Sequence, residues 1–387
     1  MDTAALRRSW REVESLGDEA AATFYSLLFA ADPRLRLMFP AGMSEQRDKL
    51  LKALGHIVSS VDDANELRAF AAQLGRDHRR FGVLTHHYRT VGAVLLETLR
   101  RCLGSRWTGQ LDLDWSAAYD IVARVMIDAA QEDARINPPS WLAAVEHVER
   151  RTADIVVFTV RTRQPYSYQA GQSCAVHHPA LPAVWRYLSP ANAPRPDHMI
   201  EFHVRATAGG QLSPVLTYFL QPGDVLTLGA PVGTALTRWQ RHPNDLLLIA
   251  GGTGLAPMRA IVDQLTQDPA WSHSITLVVG ADTPDDLYDM VALRRLYDRS
   301  RRLQVFTAVA CDPLASPRAS NAVDVALASG SWRHRDVYLC GSQSMVSGSL
   351  AALRDAGVDP RRVHTETFTS YTYPPLVNAN HLHEVLP

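Results

Sequence analysis

The sequence predicts a multidomain chain: an all-α N-terminal third, then a β-rich middle, then an α/β lobe built on a parallel sheet. Three observations predict it. Of 23 prolines only Pro33 and Pro40 precede the segment Arg135 to Ser140, RINPPS, and this opening third is rich in Ala, Leu and Arg, as long helices are. Beyond it the chain alternates short β-branched runs with Pro/Gly turns. Further on, Asp245 to Gln264, DLLLIAGGTGLAPMRAIVDQ, joins an apolar strand to a glycine turn and a helix. A length of 387 residues allows two or three domains, each able to bury its own core. Breaks near Asn137 to Ser140 and near Thr237 to Asp245 divide the chain into 1–137, 138–240 and 241–387.

Composition restricts the setting more than the task. A formal net charge of −1 with both signs interspersed leaves no basic stripe for nucleic acid and no acidic tail. The wholly apolar stretches are short and the opening MDTAALRRSW has no apolar signal core, so neither a membrane span nor an export signal is expected, and cytoplasm is the expected compartment. Cys102, Cys174, Cys311 and Cys340 lie far apart with no C-x-x-C pair. That argues against an iron–sulfur cluster of ordinary spacing and against a disulfide framework, so any electron carrier must be held in another way.

In the helical third, the apolar stripe from Asn65 to Phe81 runs Leu67, Phe70, Ala71, Leu74 and Phe81, and His78 fills the step between the last two. An imidazole therefore faces the core. It is either hydrogen-bonded there or a metal ligand, and His56, His86 and His87 are rival ligands. Tyr25 shares a face with Ala21, Leu28 and Phe29, while Gln46 begins the stripe Gln46, Leu50, Ala53, Leu54 and Ile57. A buried phenol or amide needs a partner, because leaving one unsatisfied costs roughly 1 to 3 kcal/mol. A bound ligand or a nearby carbonyl can supply it.

In the last third, Leu246 to Ala250 read as a buried parallel strand. Gly251, Gly252 and Gly254, around Thr253, let the backbone approach a pyrophosphate, and Pro257 can open a helix whose free N–H groups face the anion. A second apolar strand ends in Val337-Tyr338-Leu339-Cys340-Gly341. Together they point to a nucleotide-binding reductase lobe, with hydride transfer from a nicotinamide as the expected chemistry.

The segment FYSLLFAADPRLRLMFP (Phe24 to Pro40), EQRDKL around Gln46 and DHRRF around His78 resemble, in order and spacing, the globin domain of flavohaemoglobins. The resemblance implies bound haem b with His78 as proximal iron ligand, Tyr25 hydrogen-bonded to dioxygen in the haem pocket, Gln46 lining that pocket and Phe39 wedged against the haem face. Tyr88, in THHYRTV, matches the tyrosine that supports the proximal histidine.

Trp185-Arg186-Tyr187-Leu188-Ser189 resembles the arginine, tyrosine and serine run of ferredoxin-reductase-type FAD domains, which implies that 138–240 is an antiparallel β-barrel in which Arg186, Tyr187 and Ser189 bind FAD. Gly209-Gly210-Gln211-Leu212-Ser213 resembles their pyrophosphate-binding turn. The chemistry agrees, since Arg186 can pair with phosphate as a planar fork and two glycines let Gln211, Leu212 and Ser213 present backbone N–H groups. Tyr166 to Gln172, YSYQAGQ, is similar to the turn entering the next strand of that domain. His364-Thr365-Glu366-Thr367-Phe368 matches the family's closing strand, whose glutamate lies near the flavin and haem edges and whose phenylalanine covers the flavin ring. Gly251 to Pro257 and Cys340-Gly341 fall on the nicotinamide-binding motifs. The segment from about Thr372 to Pro387 carries no legible motif.

Three departures modify these expectations. The family's proximal histidine is usually bonded to a glutamate on the last globin helix, and aligning Trp115 and Ala118-Tyr119 with that helix puts Ala130 in the glutamate's place. Glu132 is a poor substitute, because two residues turn a helical side chain by about 200°. Without the carboxylate the push on iron weakens. Leu188 stands where the flavin pattern has a tyrosine, and Ser342 stands where the family commonly has proline after Gly341. Asp282, after the strand Ile275 to Gly280, occupies a position where related reductases often carry arginine; a carboxylate there repels a ribose phosphate and favours NADH over NADPH.

The resemblance implies an NAD(P)H-dependent oxidoreductase of nitric oxide dioxygenase type. Electrons would pass from NADH through FAD to haem, and nitric oxide would be oxidised by O2 to nitrate. Ala130 and Leu188 keep two alternatives open: a haem/flavin reductase with a different acceptor, and an oxygen- or redox-sensing globin with little nitric oxide turnover. The expected partners are O2 and nitric oxide, with no nucleic acid and no membrane.

Overall fold

The computed structural model describes residues 1–240, 244–310 and 321–368. It divides into two compact units, Met1–Ser140 and Trp141–Pro387. Cys311 and the segment from Thr372 onward lie outside the described residues. Among the described residues no helix is long and apolar enough to cross a membrane.

The first unit is helical throughout: α1 Thr3–Ser15, α2 Asp18–Ala31, α3 Ser44–Ser59, α4 Ala64–His78, α5 Thr85–Leu103 and α6 Gly109–Ala134. Local chemistry sets the starts. Asp2 caps α1 by accepting from Ala5 N–H, Asp63 caps α4 by accepting from Asn65 and Glu66 N–H, and Thr108 caps α6 by accepting from Leu111 N–H. Asp32 stops α2 ahead of Pro33, which opens a short 3-10 turn, Pro33–Met38. The core gathers Leu6, Trp10, Phe24, Leu28, Leu95, Leu99 and Trp115, and the Trp115 indole donates to buried Ser9 at 3.0 Å.

The second unit opens with strands β1 Trp141–Arg150, β2 Ile155–Thr162, β3 Ser173–His177, β4 Trp185–Leu188 and β5 Met199–Arg205, helix α7 Leu212–Tyr218 and strand β6 Val225–Val232. The six strands form an antiparallel sheet in the order β4-β3-β6-β1-β2-β5. Pro190, just past β4, bridges to Phe202 on β5, so the two edges meet and the sheet closes into a barrel. Strand β2 is buried on both faces. Val156, Phe158 and Val160 fill the barrel, whereas Ile155 and Val157 join the core of the sheet that follows.

That second sheet comprises β7 Leu246–Gly251, β8 Ile275–Ala281, β9 Leu303–Val309, β10 Asp336–Gly341 and β11 Val363–Thr367, all parallel, in the order β11-β10-β7-β8-β9. Helices α8 Leu255–Gln267, α9 Met290–Arg299, α10 Ala322–Ala328 and α11 Gln343–Asp355 lie between the strands in sequence. The chain runs outward from β7 to β9, then returns to β10 on the other side of β7. The strand order reverses between β7 and β10, and the crevice outside the C-terminal ends of such strands is where α/β sheets bind ligands.

In the first unit, one backbone contact fixes the helix that carries His78. A Cβ on Gly75 of α4 would lie 2.1 Å from the Met126 carbonyl oxygen of α6, so only glycine permits this approach. On an open helix Gly→Ala is favourable by about 1 kcal/mol; here overpacking outweighs propensity. Gly75→Ala is expected to lower unfolding free energy by about 1 to 3 kcal/mol in urea titration. A variant as stable as wild type would show that the two helices can separate without cost.

Candidate functional site

His78 is the last residue of α4. Its Nδ1 lies 2.6 Å from the Leu74 carbonyl oxygen, one turn back. A carbonyl only accepts, so Nδ1 carries the proton and Nε2 keeps its lone pair. Nε2 has no hydrogen bond among the described residues, and burial pushes the imidazole below its ordinary pKa, keeping it neutral. The expected stripe breaks here: residues 79–81 form a 3-10 turn closed by Gly82 in the left-handed region, φ 74°. Phe81 therefore leaves the face of α4, and its ring stands edge-on to His78 at 6.3 Å.

Neighbouring groups hold α4 in place. Arg79 pairs with Asp133 of α6 and donates to the Asn137 carbonyl at 2.8 Å. On the other side buried Asp77 accepts from Gln73 at 3.2 Å and from Arg80 at 3.3 Å. Met126 and Asp133 both meet α4, and Ala130 shares their helix face at i+4 and i−3. Glu132 is turned away and pairs with Arg135 at 2.8 Å.

The rival histidines are otherwise engaged. His56 lies 3.6 Å from Glu66, its ring tilted against Phe70 at 4.3 Å. His87 uses Nδ1 to accept from Leu84 N–H at the start of α5, and exposed His86 packs beside it at 4.2 Å.

Tyr25, on α2, is 6% exposed. Its ring meets Phe24 and Phe39 edge-on at 5.2 and 5.4 Å and lies tilted to Phe29 at 5.9 Å. Its hydroxyl donates to the main-chain carbonyl of Gln46 at 3.3 Å, a long bond that a better acceptor can replace, and burial pushes the phenol's pKa up. Gln46 sits in the first turn of α3, whose stripe Leu50, Ala53, Leu54 and Ile57 is only half-buried, so an apolar wall stays accessible. Tyr88, in the first turn of α5, accepts at its carbonyl from Tyr119 OH, while burial lifts its own hydroxyl to about 12. His78 is bonded to Leu74 and not to Tyr88. An accessible apolar wall, a neutral imidazole with a free lone pair and a weakly held phenol fit a haem.

In the barrel, β4 pairs with β3 so that Arg186 lies opposite Val176 and Tyr187 opposite Ala175. Arg186 donates to the Trp185 carbonyl at 2.9 Å, and Ser189 is buried at the strand's end. Leu188 packs on the barrel core. In the glycine turn, Gly209 is left-handed at φ 72° with open space around it, and a Cβ on Gly210 would come within 2.9 Å of Ser213 Oγ. Gln211 is the N-cap of α7, which leaves the N–H groups of Leu212 and Ser213 in the unpaired first turn, although the Ser213 hydroxyl accepts from Thr207 N–H at 3.1 Å. Tyr166 and Tyr168, expected only as part of a turn, are buried struts whose hydroxyls donate to the carbonyls of Gly229 and Asn192 at 2.8 and 2.9 Å. Two glycines without competing side chains beside a helix start fit a dinucleotide phosphate.

At the switch point the three expected glycines divide their work. Gly252, φ 55°, has open space beside it and can approach a phosphate, and Thr253 follows in the same 3-10 turn. Gly254 faces inward: a Cβ there would lie 2.2 Å from the Cys340 carbonyl, so it permits packing against β10. Gly251 ends β7 against Met345. Helix α8 opens at Leu255, two residues before Pro257, which is buried in its first turn. Cys340 pairs in register with Glu366, and Phe368 N–H returns to the Gly341 carbonyl at 3.2 Å. Burial lifts the Glu366 carboxyl to about 7 and pushes the Cys340 thiol up. Phe368 is exposed, as is Asp282 beyond β8. The sequence did not single out a group of charged residues, Glu201, His203, Arg259 and Asp289, that the second unit assembles between its two sheets; the polar alternation in IEFHVR was its one local signal.

Three family profiles match the chain. Globin matches residues 22–126, the oxidoreductase FAD-binding domain matches 142–236 and the oxidoreductase NAD-binding domain matches 248–350. A flavohemoprotein of Deinococcus radiodurans is 28% identical over 396 residues, covering 94% of this chain and 96% of that one. The ferredoxin–NAD(P)+ reductase component of a naphthalene 1,2-dioxygenase system from Pseudomonas putida is 30% identical over 249 residues, covering 62% of this chain and 74% of its own. In fold, the flavohemoglobin of Malassezia yamatoensis matches with a TM-score of 0.75 at 16% identity, over 95% of this chain and 98% of that one. With a helical globin unit ahead of an FAD- and NAD-binding oxidoreductase unit, the chain belongs to the flavohaemoglobin family as a divergent member.

Proposed function

We propose that this flavohaemoglobin uses NADH and dioxygen to oxidise nitric oxide to nitrate. Each nitric oxide takes up one dioxygen and one electron, so one NADH serves two turnovers. The observation that carries this reading is the occurrence, in one helical unit, of a neutral His78 with a free Nε2 and a buried Tyr25 hydroxyl on a weak bond. When bound, haem supplies a redox-active iron, FAD splits a hydride into single electrons and NADH supplies the hydride.

The residues' parts follow from their chemistry. His78 holds the iron through Nε2 while Leu74 fixes the ring. Tyr25, released from the Gln46 carbonyl, donates to dioxygen, and Phe29 and Phe39 keep water from the phenol. Arg186, Ser189 and the Gly209-Gly210 turn hold FAD; Gly252 and the start of α8 hold the nicotinamide dinucleotide. Asp282, exposed beyond β8, repels a 2′-phosphate, which favours NADH. Glu366, at about 7, can take or release a proton near neutral pH.

A second reading has its own support. With a backbone carbonyl as the Nδ1 partner of His78 and Ala130 on the facing helix, the imidazole donates less to iron than a carboxylate-paired one, which suits another acceptor or oxygen sensing.

Nitric oxide consumption with NADH under air separates the readings. The proposal expects nitrate formed at two per NADH, and Tyr25→Phe should release oxygen at least several-fold faster. NADH oxidation that ignores nitric oxide would favour the second reading, and an unchanged oxygen dissociation rate would show that Tyr25 points elsewhere. His78→Ala should purify without haem, whereas His86→Ala and His87→Ala should keep it. Full haem and an unchanged ferric spectrum in His78→Ala would remove the ligand assignment.

A further inference from the structure

Within the second unit, the seam between barrel and parallel sheet is built from charged groups that no step above uses. Strand β5 contributes Glu201, His203 and Arg205; α8 contributes Arg259 and Asp263; the segment leading into α9 contributes Asp286, Tyr288 and Asp289. Glu201 Oε1 receives the Arg259 guanidinium and lies 3.0 Å from His203 Nε2, while His203 Nδ1 lies 2.9 Å from the Tyr288 hydroxyl. His203 Nε2 also lies 3.0 Å from the Arg259 guanidinium, so imidazole, carboxylate and guanidinium meet at one point, with the Tyr288 hydroxyl on the far side of the ring. Arg259 also reaches Asp289 at 3.3 Å, and Arg151 reaches the same carboxylate at 3.7 Å. Arg205 pairs with Asp286 and, at 3.4 Å, with Asp154. Asp289 is 1% exposed. Removing one partner of such a buried pair leaves the other charge stranded, so the group holds together as a unit. Burial acts to raise the Glu201 carboxyl, but the His203 bond and the Arg259 charge outweigh it and hold it at about 2.

The backbone of Glu201 is tied as well. Its carbonyl accepts from Ala191 N–H at 2.8 Å and its N–H donates to Asn192 Oδ1 at 2.7 Å. Ala191 and Asn192 follow closely on the run from Trp185 to Ser189. Ala193 N–H then donates at 2.9 Å to Asp263, one helical turn beyond Arg259. Helix α8, which carries Arg259 and Asp263, starts at the Gly252–Gly254 turn. Glu201 thus joins the segment leaving the flavin motif to the helix leaving the nicotinamide motif.

We propose that Glu201 and Arg259 are positioning residues for hydride transfer, their pair fixing the nicotinamide-binding turn against the flavin-binding strand and so setting how closely the nicotinamide approaches the flavin. The step moves one hydride, two electrons with a proton, from nicotinamide to flavin. The inference rests on the reading of this unit as an NADH-to-FAD module. A displacement of about 1 Å between reacting groups can cost on the order of 100-fold in rate.

The test uses the full-length, cofactor-loaded protein. In Glu201→Gln and Arg259→Met, stopped-flow reduction of FAD by NADH should slow by about 10- to 100-fold. The long-wavelength nicotinamide–flavin charge-transfer band should weaken, while FAD content and reduction by dithionite stay at wild-type values. Should either variant fail to fold, Glu201→Asp keeps the charge, shortens the reach by one methylene and is expected to slow reduction by a smaller factor. Wild-type rates in FAD-loaded variants would overturn the proposal, as would slow reduction with an unchanged charge-transfer band. Failure of NADH to reduce the wild-type flavin would instead overturn the reading of the module.

Discussion

The direction of the free His78 nitrogen depends on one hydrogen bond, from Nδ1–H to the Leu74 carbonyl. Everything around it serves to keep α4 where that bond can act. Gly75 lets α4 lie directly on the Met126 backbone, Arg79 grips Asp133 and Asn137 from the end of the helix, and the 3-10 turn closed by Gly82 stops the helix just after His78. A neutral imidazole with its proton committed on one side has a lone pair committed on the other. Opposite chemistry gathers at Tyr25, whose hydroxyl rests on a long bond to a main-chain carbonyl among three aromatic rings.

The second unit solves a different problem, which is to hold two sheets in a fixed relation. Apolar side chains do part of it: Ile155 and Val157 leave the barrel's own core and join Leu246, Leu248 and Met258. Charged residues do the rest along β5 and α8. Apolar contact alone tolerates sliding, whereas a part-buried, hydrogen-bonded ion pair has one preferred geometry and is weakened by the loss of a partner. Placing Glu201 and Arg259 between the two nucleotide motifs concentrates that constraint where geometry matters most.

Much of this was legible in the sequence, and the parts that were not share a cause. Helical periodicity placed His78 and Tyr25 on inward faces, and proline distribution separated the helical third from the β-rich remainder. The Leu74 carbonyl left no mark, because every residue carries one. Gly251, Gly252 and Gly254 were readable as a turn, but only the position of β10 reveals that Gly254 serves packing while Gly252 stays open. Phe81 was counted on a stripe that ends three residues earlier, since a 3-10 turn changes the angular step. Glu201 and His203 alternate with Ile200, Phe202 and Val204, the pattern of a strand with one wet face. The fold instead covers that face with α8, a non-local fact that alternation cannot carry.

The central claim is that a backbone carbonyl alone orients His78, with Ala130 where a carboxylate partner would stand. The iron–histidine stretching frequency of the ferrous, haem-loaded protein tests it most directly, read in wild type and in Ala130→Glu. Wild type should show a frequency in the range of carbonyl-bonded neutral histidines, and the frequency should rise clearly when glutamate is introduced, because a carboxylate on Nδ1 makes the ring more anionic. A wild-type frequency already in the carboxylate-paired range, or no change in a folded and fully loaded Ala130→Glu, would contradict it.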